Sequence, residues 1–482
     1  MTATRSTTLR AGAGAPATAA AAVPAATSVG PAAAGPAAAG PAAAVPSSGS
    51  AFALLGAVQM SLIFTLTSLI VPLPAIGGEF DLARDALLLL SAAYGLTFAG
   101  LLLFGGRIAD RFGGRRALNA GLVVFAVASL AAPLAQDPTV LLAARFAQGA
   151  GAALTAPAAM AVLRAVFPQP AAYGRAMATW GGLSVLGATA GNLLSGVISA
   201  LSTWRLSFVV PVAVAGAALA LAPRLLPATP VGEGRSLDLP GALLATAGIS
   251  LASYGLVLTD AHSWGSTGVL VALIAAAVLL VAFPIVERRA RDPLLPLGFL
   301  RNGRRVLALS AIGLTAAGTA TAFVLLSLSL QEDRGWSALQ TSAAFVPFAV
   351  ALLLAGRAAG PLIARYGTAT VTTAGLVTAA AGLGLLALTG LAEHTPYALG
   401  LLPGLLLLPA GGAAAFAGAA VLATDGVEPH QAGLAGGVMN TAMELGPTVI
   451  FATVLALGSD KVSLAAMATA FAAAGFLNTR IK

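Results

Sequence analysis

The sequence predicts an all-α integral membrane protein, and its composition and its hydrophobic pattern both support this prediction. Of the 482 residues, 58% are hydrophobic and 9% are charged, whereas a soluble chain of this length covers its surface with many more charged groups. The hydrophobic residues occur in successive blocks, each long enough for the roughly 20-residue helix that crosses a bilayer. The chain is therefore expected to cross a lipid bilayer many times.

The charged residues and the absence of cysteine exclude several other classes. A net charge of +8 could indicate nucleic-acid binding, but the basic residues lie in short segments between hydrophobic blocks, which is a signal of membrane topology. We therefore expect no nucleic-acid partner. Because the chain has no cysteine, it has neither a disulfide framework nor a thiolate metal site. We also predict no cofactor and no metal site.

The first 50 residues differ from the rest of the chain because they are rich in Ala, Pro and Gly. Prolines at positions 31, 36, 41 and 46 prevent a continuous helix, and there are too few bulky hydrophobic residues for a core. No Leu-rich stretch follows Arg5 and Arg10, as a secretory signal would require. Residues 1–50 are predicted to be a disordered cytoplasmic tail.

From residue 51 onward, the hydrophobic blocks predict fourteen membrane-spanning helices. We expect a first six-helix bundle (51–228), two inserted helices with a basic cytoplasmic loop (229–304) and a second six-helix bundle (305–482). The expected spans are 52–75, 87–106, 117–135, 139–165, 174–198, 206–226, 240–259, 265–286, 306–329, 340–363, 369–390, 396–423, 433–457 and 462–478.

The basic residues predict the orientation of these spans. With the N-terminus inside, twenty of the 25 Lys and Arg residues lie on the cytoplasmic side and four lie outside, in agreement with the positive-inside rule. The remaining basic residue, Arg145, lies within a span. We predict a multi-pass protein of the cytoplasmic membrane with both termini cytoplasmic.

An internal repeat predicts duplicated halves. The segment Gly106–Gly113 recurs in similar form at Gly360–Gly367, and the tetrapeptide Ala-Gly-Leu-Val follows each copy, at 120–123 and 374–377. Both copies are expected in the loops that follow the second and tenth spans. Duplicated helical halves around a central cavity are typical of secondary transporters, in which one half rocks against the other.

The first copy of the repeat contains a pattern of glycines and charges that predicts a cytoplasmic gating loop. Glycine allows a tight turn between two helices, a carboxylate can cap the N-terminus of a neighbouring helix, and arginines remain at the cytoplasmic surface. The alternative is an ordinary basic loop that only sets topology. The residues concerned are Gly106, Asp110, Arg111, Gly113, Arg115 and Arg116.

Polar residues also occur inside three predicted spans, and we expect them to form the coupling and substrate pathway: Arg145 and Gln148 in the fourth, Asn192 in the fifth, and Asn440 and Glu444 in the thirteenth. An arginine in a bilayer costs about 2.5 kcal/mol or more, so Arg145 is expected to face the bundle interior; the alternative is a side chain that reaches the nearby membrane surface. Of the acidic residues, only Glu444 is predicted deep in a span. A carboxylate there suits proton coupling, and the alternative is a hydrogen bond between packed helices.

These motifs resemble the major facilitator superfamily, specifically its fourteen-helix drug:proton antiporter branch, over residues 52–478. The pattern Gly-x-x-x-Asp-Arg-x-Gly-x-Arg-Arg begins at Gly106, and Arg-x-x-Gln-Gly-x-Gly begins at Arg145. The fifth span is similar to the family's Gly-Pro-x-x-Gly-Gly, although Ala188 and Asn192 replace the proline and the last glycine. The resemblance implies a monomeric transporter that exports hydrophobic or amphipathic small molecules in exchange for protons by alternating access.

One departure from this branch leaves the coupling open. Where the branch often has an acid in the first helix, the chain has Thr65, which cannot titrate. If protons are coupled, Glu444 is the expected carrier, with its charge balanced by Arg145. If they are not, the protein is a facilitator or symporter of the same superfamily. In a different class, a membrane-embedded lipid-linked transferase would need carboxylates gathered in a sizeable loop, and a channel or scaffold would not need duplicated halves.

Overall fold

The computed structural model describes residues 48–69, 71–229, 231, 237–259, 262–336, 338–390, 395–455 and 459–480, and the regular structure in these ranges is helical. Helices satisfy all their backbone hydrogen bonds internally, as a hydrocarbon environment requires. The long helices are α1 (Ser48–Thr67), α2 (Arg84–Phe112), α3 (Gly114–Ala131), α4 (Pro138–Val166), α5 (Pro170–Leu201), α6 (Val209–Leu225), α7 (Leu239–Leu258), α8 (Thr267–Glu287), α9 (Gly303–Leu328), α10 (Val346–Tyr366), α11 (Thr368–Leu385), α12 (Leu402–Ala423), α13 (Ala432–Leu455) and α14 (Asp460–Arg480).

Twelve helices within the described ranges are long and apolar enough to cross a membrane. Helices α5 and α13 are not among these twelve, and they occupy the positions of the predicted spans 174–198 and 433–457. The multi-pass, all-helical architecture is confirmed, and the number of fourteen spans stays a prediction. Residues 1–47, which belong to the predicted tail, lie outside the described ranges.

The first predicted span, 52–75, is wrong at its C-terminal end. Helix α1 ends at Thr67, and a separate short helix, Leu73–Phe80, follows it. Pro72 and Pro74 lie at this break. Proline has no backbone N–H and clashes with the preceding turn, so it ends a helix unless it lies in the first turn.

The prediction that the repeated segments form loops is also wrong. Helix α2 continues to Phe112 and α10 continues to Tyr366, so both segments form the last turns of helices. Each turn between helices is reduced to one glycine, Gly113 with φ 87° or Gly367 with φ 82°. A side chain would be strained in this conformation. The matching glycines show that the two segments share one local structure.

The N-terminal and C-terminal helices pack in similar ways. In the N-terminal part, α2 and α3 both pack along α4, and in the C-terminal part α10 and α11 both pack along α12. Glycines allow the close approach: a Cβ on Gly121 would lie 2.8 Å from the carbonyl oxygen of Gly151, and one on Gly375 would lie 2.7 Å from that of Gly411. Helices α7 and α8, which lie between these two parts in the sequence, pack on each other, and α7 also packs along α2.

Two seams join the N-terminal helices to the C-terminal helices: α2 and α4 pack on α13, and α5 packs on α10 and α12. At the first seam, a Cβ on Gly106 would collide with the carbonyl oxygen of Gly433; at the second, a Cβ on Gly360 would lie 2.7 Å from the carbonyl oxygen of Ala171. Both contacts lie at the end of the bundle formed by residues 106–116, 164–175 and 357–367. We call this the arginine-rich end.

An ion pair joins three inter-helix segments at the opposite end of the bundle. Glu79, in the short helix Leu73–Phe80, accepts hydrogen bonds of 2.9 and 2.6 Å from the guanidinium of Arg205 and one of 2.8 Å from the indole N–H of Trp204. The Arg205 Nε donates to the carbonyl oxygen of Pro133 at 3.0 Å. The hydrogen bonds from Arg205 and Trp204 hold the pKa of Glu79 below its ordinary value.

Candidate functional site

A cavity of about 640 Å³ lies among helices α1, α2, α5, α7, α9, α10, α12 and α13. Most of the side chains that line it are Ala, Gly, Leu, Val and Phe, so the walls suit the apolar part of a small molecule. Hydroxyl groups add hydrogen-bonding positions around these walls. They belong to Thr67, Ser91, Ser184, Ser253, Thr315 and Thr319.

Glu444 is the only ionisable side chain among the described residues that line this cavity. It lies near the middle of α13, with Met443 and Pro447 beside it on the wall. A carboxylate in apolar surroundings interacts strongly with a proton, with a cation or with a hydrogen-bond donor. The cavity therefore has one position at which a ligand's charge and a proton can compete.

Arg145 lies in the interior of the N-terminal helices, with no exposed surface. Its Nη1 donates to the carbonyl oxygen of Thr65 at 3.0 Å and to Gln148 Oε1 at 3.3 Å. Gln148 donates in turn to Ser129 Oγ at 2.9 Å. The guanidinium carbon lies 5.0 Å from the centre of the Tyr94 ring, in cation–π range. The side chain faces the interior instead of reaching for the membrane surface.

The structure does not pair Arg145 with Glu444, although the sequence suggests that the two charges balance each other. The hydrogen bonds of Arg145 go to α1 and to its own helix. The guanidinium lies over the ring of Tyr94, and the Tyr94 hydroxyl donates to the carbonyl oxygen of Leu62 at 2.8 Å. The hydroxyl of Thr65 donates to Ser61 O at 2.8 Å within α1, so this position holds no proton carrier.

Asp110 connects the N-terminal helices to the C-terminal helices at the arginine-rich end. Its carboxylate accepts hydrogen bonds from the backbone N–H groups of Gly433 at 2.6 Å and Leu434 at 2.8 Å. These N–H groups belong to the first turn of α13, where they have no partner within the helix and where the helix dipole is positive. Asp110 is buried, so a charged cap lies directly in the α2–α13 seam.

The arginines near Asp110 bind backbone carbonyls of neighbouring segments. Arg107, which the sequence did not single out, donates to the carbonyl oxygen of Pro293 at 2.6 Å. Arg115 donates to that of Leu226 at 2.9 Å. Arg111 lies over the ring of Phe112 at 5.5 Å, and Arg116 is exposed. The segment is therefore fixed to its surroundings on two sides.

Two other predicted pathway residues, Asn440 and Gln148, are not among the described residues that line the cavity. Asn440 is buried in the seam between α13 and α4, where its Nδ2 donates to the carbonyl oxygen of Gly436 at 2.9 Å and lies 3.0 Å from Met160 Sδ. Gln148 lies in the Arg145 network described above. Asn192 belongs to α5, and its side chain lies outside the described residues. Of the predicted residues whose side chains are described, Glu444 alone reaches the cavity wall.

The glycines of the fifth span bring α5 close to α1. A Cβ on Gly187 would lie 2.6 Å from the carbonyl oxygen of Met60, and one on Gly191 would lie 2.6 Å from that of Phe64. Thr67 donates to the carbonyl oxygen of Ala188 at 3.0 Å. These glycines therefore act in helix packing, which small residues at this spacing permit.

Comparison with known proteins identifies the family. The sequence profile of the Major Facilitator Superfamily matches residues 53–451. A cephamycin export protein of Amycolatopsis lactamdurans is 36% identical over 428 residues, which is 86% of either chain. A puromycin resistance protein of Streptomyces alboniger is also 36% identical, over 81% of this chain and 78% of that protein.

Solved structures share the fold at low sequence identity. The human organic anion transporter MFSD10 aligns with a TM-score of 0.63 at 19% sequence identity. The aligned region covers 89% of this chain and 98% of the MFSD10 chain. The proton:xylose symporter XylE aligns with a TM-score of 0.64 at 14% sequence identity, and the aligned region covers 90% of this chain and 96% of the XylE chain. The family profile, the helical architecture and these relatives agree: the chain belongs to the Major Facilitator Superfamily and is a membrane transporter.

Proposed function

We propose that this protein exports hydrophobic or amphipathic small molecules across the cytoplasmic membrane in exchange for protons. The observation that carries the proposal is Glu444, a single carboxylate in a cavity of about 640 Å³ whose other described lining residues are uncharged. The walls accept the apolar body of a substrate, and the carboxylate binds either a proton or a polar or cationic group. Competition for one group couples the movement of the two ligands.

The relatives support this substrate class. They are named for the export of cephamycin and for resistance to puromycin, and another relative, 35% identical over 84% of this chain and 83% of its own length, is a lincomycin resistance protein of Streptomyces lincolnensis. A natural product or drug that combines apolar and polar groups is the corresponding substrate here. The protein acts as a monomer, because the cavity is formed within one chain.

The proposed movement is a rocking of α1–α6 against α9–α14, the two six-helix bundles, with α7 and α8 between them. Two observations support it: the bundles meet in seams at the arginine-rich end, and Asp110 holds the first turn of α13 there. The arginines place this end in the cytoplasm, with both termini on the same side. A closed seam then corresponds to the outward-facing state, and Asp110 and the surrounding residues 106–116 act as the gate.

The proton cycle follows from this arrangement. In the outward-facing state, substrate leaves and Glu444 takes up a proton from the outside. The bundles then rock and the seam at Asp110 opens. Glu444 releases its proton to the cytoplasm and binds the next substrate, and the return movement completes one exchange.

Transport by purified protein in proteoliposomes tests the proposal. The compounds are puromycin, lincomycin, a cephamycin and the fluorescent cation ethidium, each measured with and without an imposed pH gradient. We expect at least one of them to accumulate against its concentration gradient, and an ionophore that collapses the pH gradient to abolish this accumulation. Equal downhill rates with and without the gradient would contradict proton exchange.

A facilitator or symporter of the same superfamily is the second candidate. Thr65 favours it, because the first helix has only a hydroxyl bound to its own backbone at the position where related antiporters often have an acid. The same experiment separates the candidates. A facilitator equilibrates its substrate without a gradient, and a symporter moves substrate and protons in the same direction.

A further inference from the structure

We propose that α7, the first inserted helix, forms part of the wall of the substrate cavity and that Ser253 and Val257 help to select the substrate. Both side chains line the cavity, and Ser253 is buried. The helix is therefore part of the binding site in addition to connecting the two bundles. This inference rests on the proposed function, since it concerns which molecules are transported.

Hydrogen bonds fix α7 to α2. The hydroxyl of Ser250 donates to the carbonyl oxygen of Leu96 at 2.8 Å, and that of Thr246 donates to the carbonyl oxygen of Gly100 at 3.0 Å. A Cβ on Gly100 would lie 2.5 Å from Ser250 Oγ, so glycine is needed for this approach. Side-chain hydrogen bonds to backbone carbonyls hold helices together in an apolar environment. Helix α7 is therefore expected to move together with the N-terminal bundle.

The position of α7 follows from the contacts along α2. At the arginine-rich end α2 touches α13 directly: a Cβ on Gly437 would lie 2.8 Å from the carbonyl oxygen of Leu102. Further from that end, at Leu96, the partner of α2 is α7. Ser253 lies one helical turn beyond Ser250 and faces the cavity. Helix α7 thus forms the cavity wall beside α2, on the side where α13 carries Glu444.

Helix α8 provides an internal comparison, because it packs behind α7 without reaching the cavity. A Cβ on Gly255 of α7 would lie 2.8 Å from Leu273 Cδ2 of α8. Ile274, the next residue along α8, is 61% exposed, and none of the described lining residues belongs to α8. Ser253 and Ile274 therefore lie at a similar depth, one facing the cavity and the other facing lipid.

This arrangement defines the ligand chemistry of the α7 wall. Ser253 offers a hydroxyl that can donate or accept a hydrogen bond, and Val257 offers an apolar contact. Neither is charged, so they recognise the uncharged part of an amphipath whose polar or cationic group lies at Glu444. A larger side chain at position 253 would reduce the room for that uncharged part and favour smaller substrates.

Cysteine labelling tests the position of α7 independently of transport. The chain has no cysteine, so Ser253→Cys and Ile274→Cys each introduce a single thiol. In membranes treated with N-ethylmaleimide, we expect Ser253→Cys to react about tenfold faster than Ile274→Cys, because the reactive thiolate forms in water and not in lipid. Equal and slow labelling of both variants would overturn the assignment of α7 to the cavity, whatever the protein transports.

A second measurement tests selection. Ser253→Phe is compared with Ile274→Phe in ethidium export and in the export of the larger compounds named above. We expect the ratio of large to small substrate rates to fall for Ser253→Phe and to stay at the wild-type value for Ile274→Phe. If Ser253→Cys labels quickly but Ser253→Phe leaves this ratio unchanged, α7 lines the cavity without selecting substrates, and the selection part of the inference is wrong.

Discussion

Glu444 and Arg145 are both ionisable side chains inside the helical bundle, but their surroundings differ. Arg145 is surrounded by Thr65, Gln148 and Tyr94 and has no exposed surface, whereas Glu444 lines a cavity. A group that a ligand must reach has to face open space, so we propose that Glu444, and not Arg145, is the group that exchanges protons. We therefore assign Arg145 to the positioning of α1, α2 and α4.

The first prediction concerns the substitution Glu444→Gln, which keeps the volume of the side chain but cannot titrate. We expect the variant to fold and to carry substrate down its gradient, because the cavity walls are unchanged. Accumulation driven by a pH gradient should be lost. The measurement is substrate flux in proteoliposomes with and without the gradient.

The matched control for Glu444→Gln is Asp460→Asn, which neutralises an exposed acid at the start of α14. This variant should keep uphill transport. If Glu444→Gln also accumulates substrate under a pH gradient, the carboxylate has a structural role and the proton is carried by another group.

The second prediction concerns Asp110→Asn. The amide keeps one acceptor oxygen but loses the charge that favours the N-terminus of α13. This loss costs about 1 kcal/mol, which corresponds to a roughly fivefold shift towards an open seam. A cysteine introduced at Ala435, which is buried in α13, reports the opening. Its labelling rate should rise about fivefold in Asp110→Asn.

Asp425→Asn is the control for Asp110→Asn, since Asp425 is exposed and lies at the same end of the molecule. Labelling at position 435 should be unchanged in this variant. Equal labelling in Asp110→Asn and in the wild type would mean that Asp110 does not hold the seam closed.

At the scale of helices, glycine contacts, a charged cap and an ion pair hold neighbouring helices against each other. The glycines of α1–α5, α3–α4 and α11–α12 allow the backbones of these helix pairs to approach within van der Waals distance. At the α2–α13 seam, Asp110 accepts hydrogen bonds from Gly433 and Leu434, and we propose that this contact breaks when the seam opens. The pair of Glu79 and Arg205 fixes the other end of the N-terminal bundle.

The third prediction is a pH dependence of the Glu79–Arg205 pair. In the folded state, hydrogen bonds from Arg205 and then from Trp204 lower the pKa of Glu79. The ion pair therefore stabilises the folded protein fully at pH values above 4.5, the ordinary pKa of the carboxyl group. This stabilisation is lost as the pH falls through the lowered pKa of the folded state. Both side chains are partly exposed, so the contribution is about 1 kcal/mol at most.

Thermal unfolding in detergent measures this contribution. The quantity compared is the unfolding temperature of the wild type and of Glu79→Gln, at neutral pH and at strongly acid pH. We expect a lower unfolding temperature for Glu79→Gln at neutral pH and no difference in strong acid. Glu428→Gln, which removes the carboxylate of a more exposed pair with His430 at the arginine-rich end, should lower the unfolding temperature less than Glu79→Gln at neutral pH. A difference for Glu79→Gln that persists in strong acid would exclude the ion pair as its cause.

For the whole molecule, the orientation of the chain in the membrane decides whether the closed seams correspond to the outward-facing or the inward-facing state. The fourth prediction is that Arg116→Cys labels with a membrane-impermeant maleimide only after the cells are permeabilised, because the basic segments remain in the cytoplasm. Ser263→Cys, between α7 and α8, should label in intact cells. Both native residues are exposed. The reverse pattern would place the arginine-rich end outside and make the described state inward-facing.

The sequence alone was sufficient for the helical membrane architecture and the family, and it selected Glu444 as a candidate for proton coupling. These features depend on local properties, namely the length of a hydrophobic block, the spacing of residues in a motif and the cost of a charge in a span. Local properties also placed most helices close to their observed positions. The errors occurred where a glycine or proline decides a helix end, as at Pro72 and Gly113.

The tertiary structure decided which of the polar residues meet. Asp110 binds Gly433 and Leu434 across more than 300 residues of sequence, and Arg145 contacts Thr65 instead of Glu444. The hydroxyls of the cavity, including Ser253, had no distinguishing signal, because serine and threonine are common in spans. Whether such a residue faces a cavity, a neighbouring helix or lipid depends on the rotation of each helix about its axis and on its partner. Packing between helices distant in the sequence sets both of these, and no local pattern contains that information.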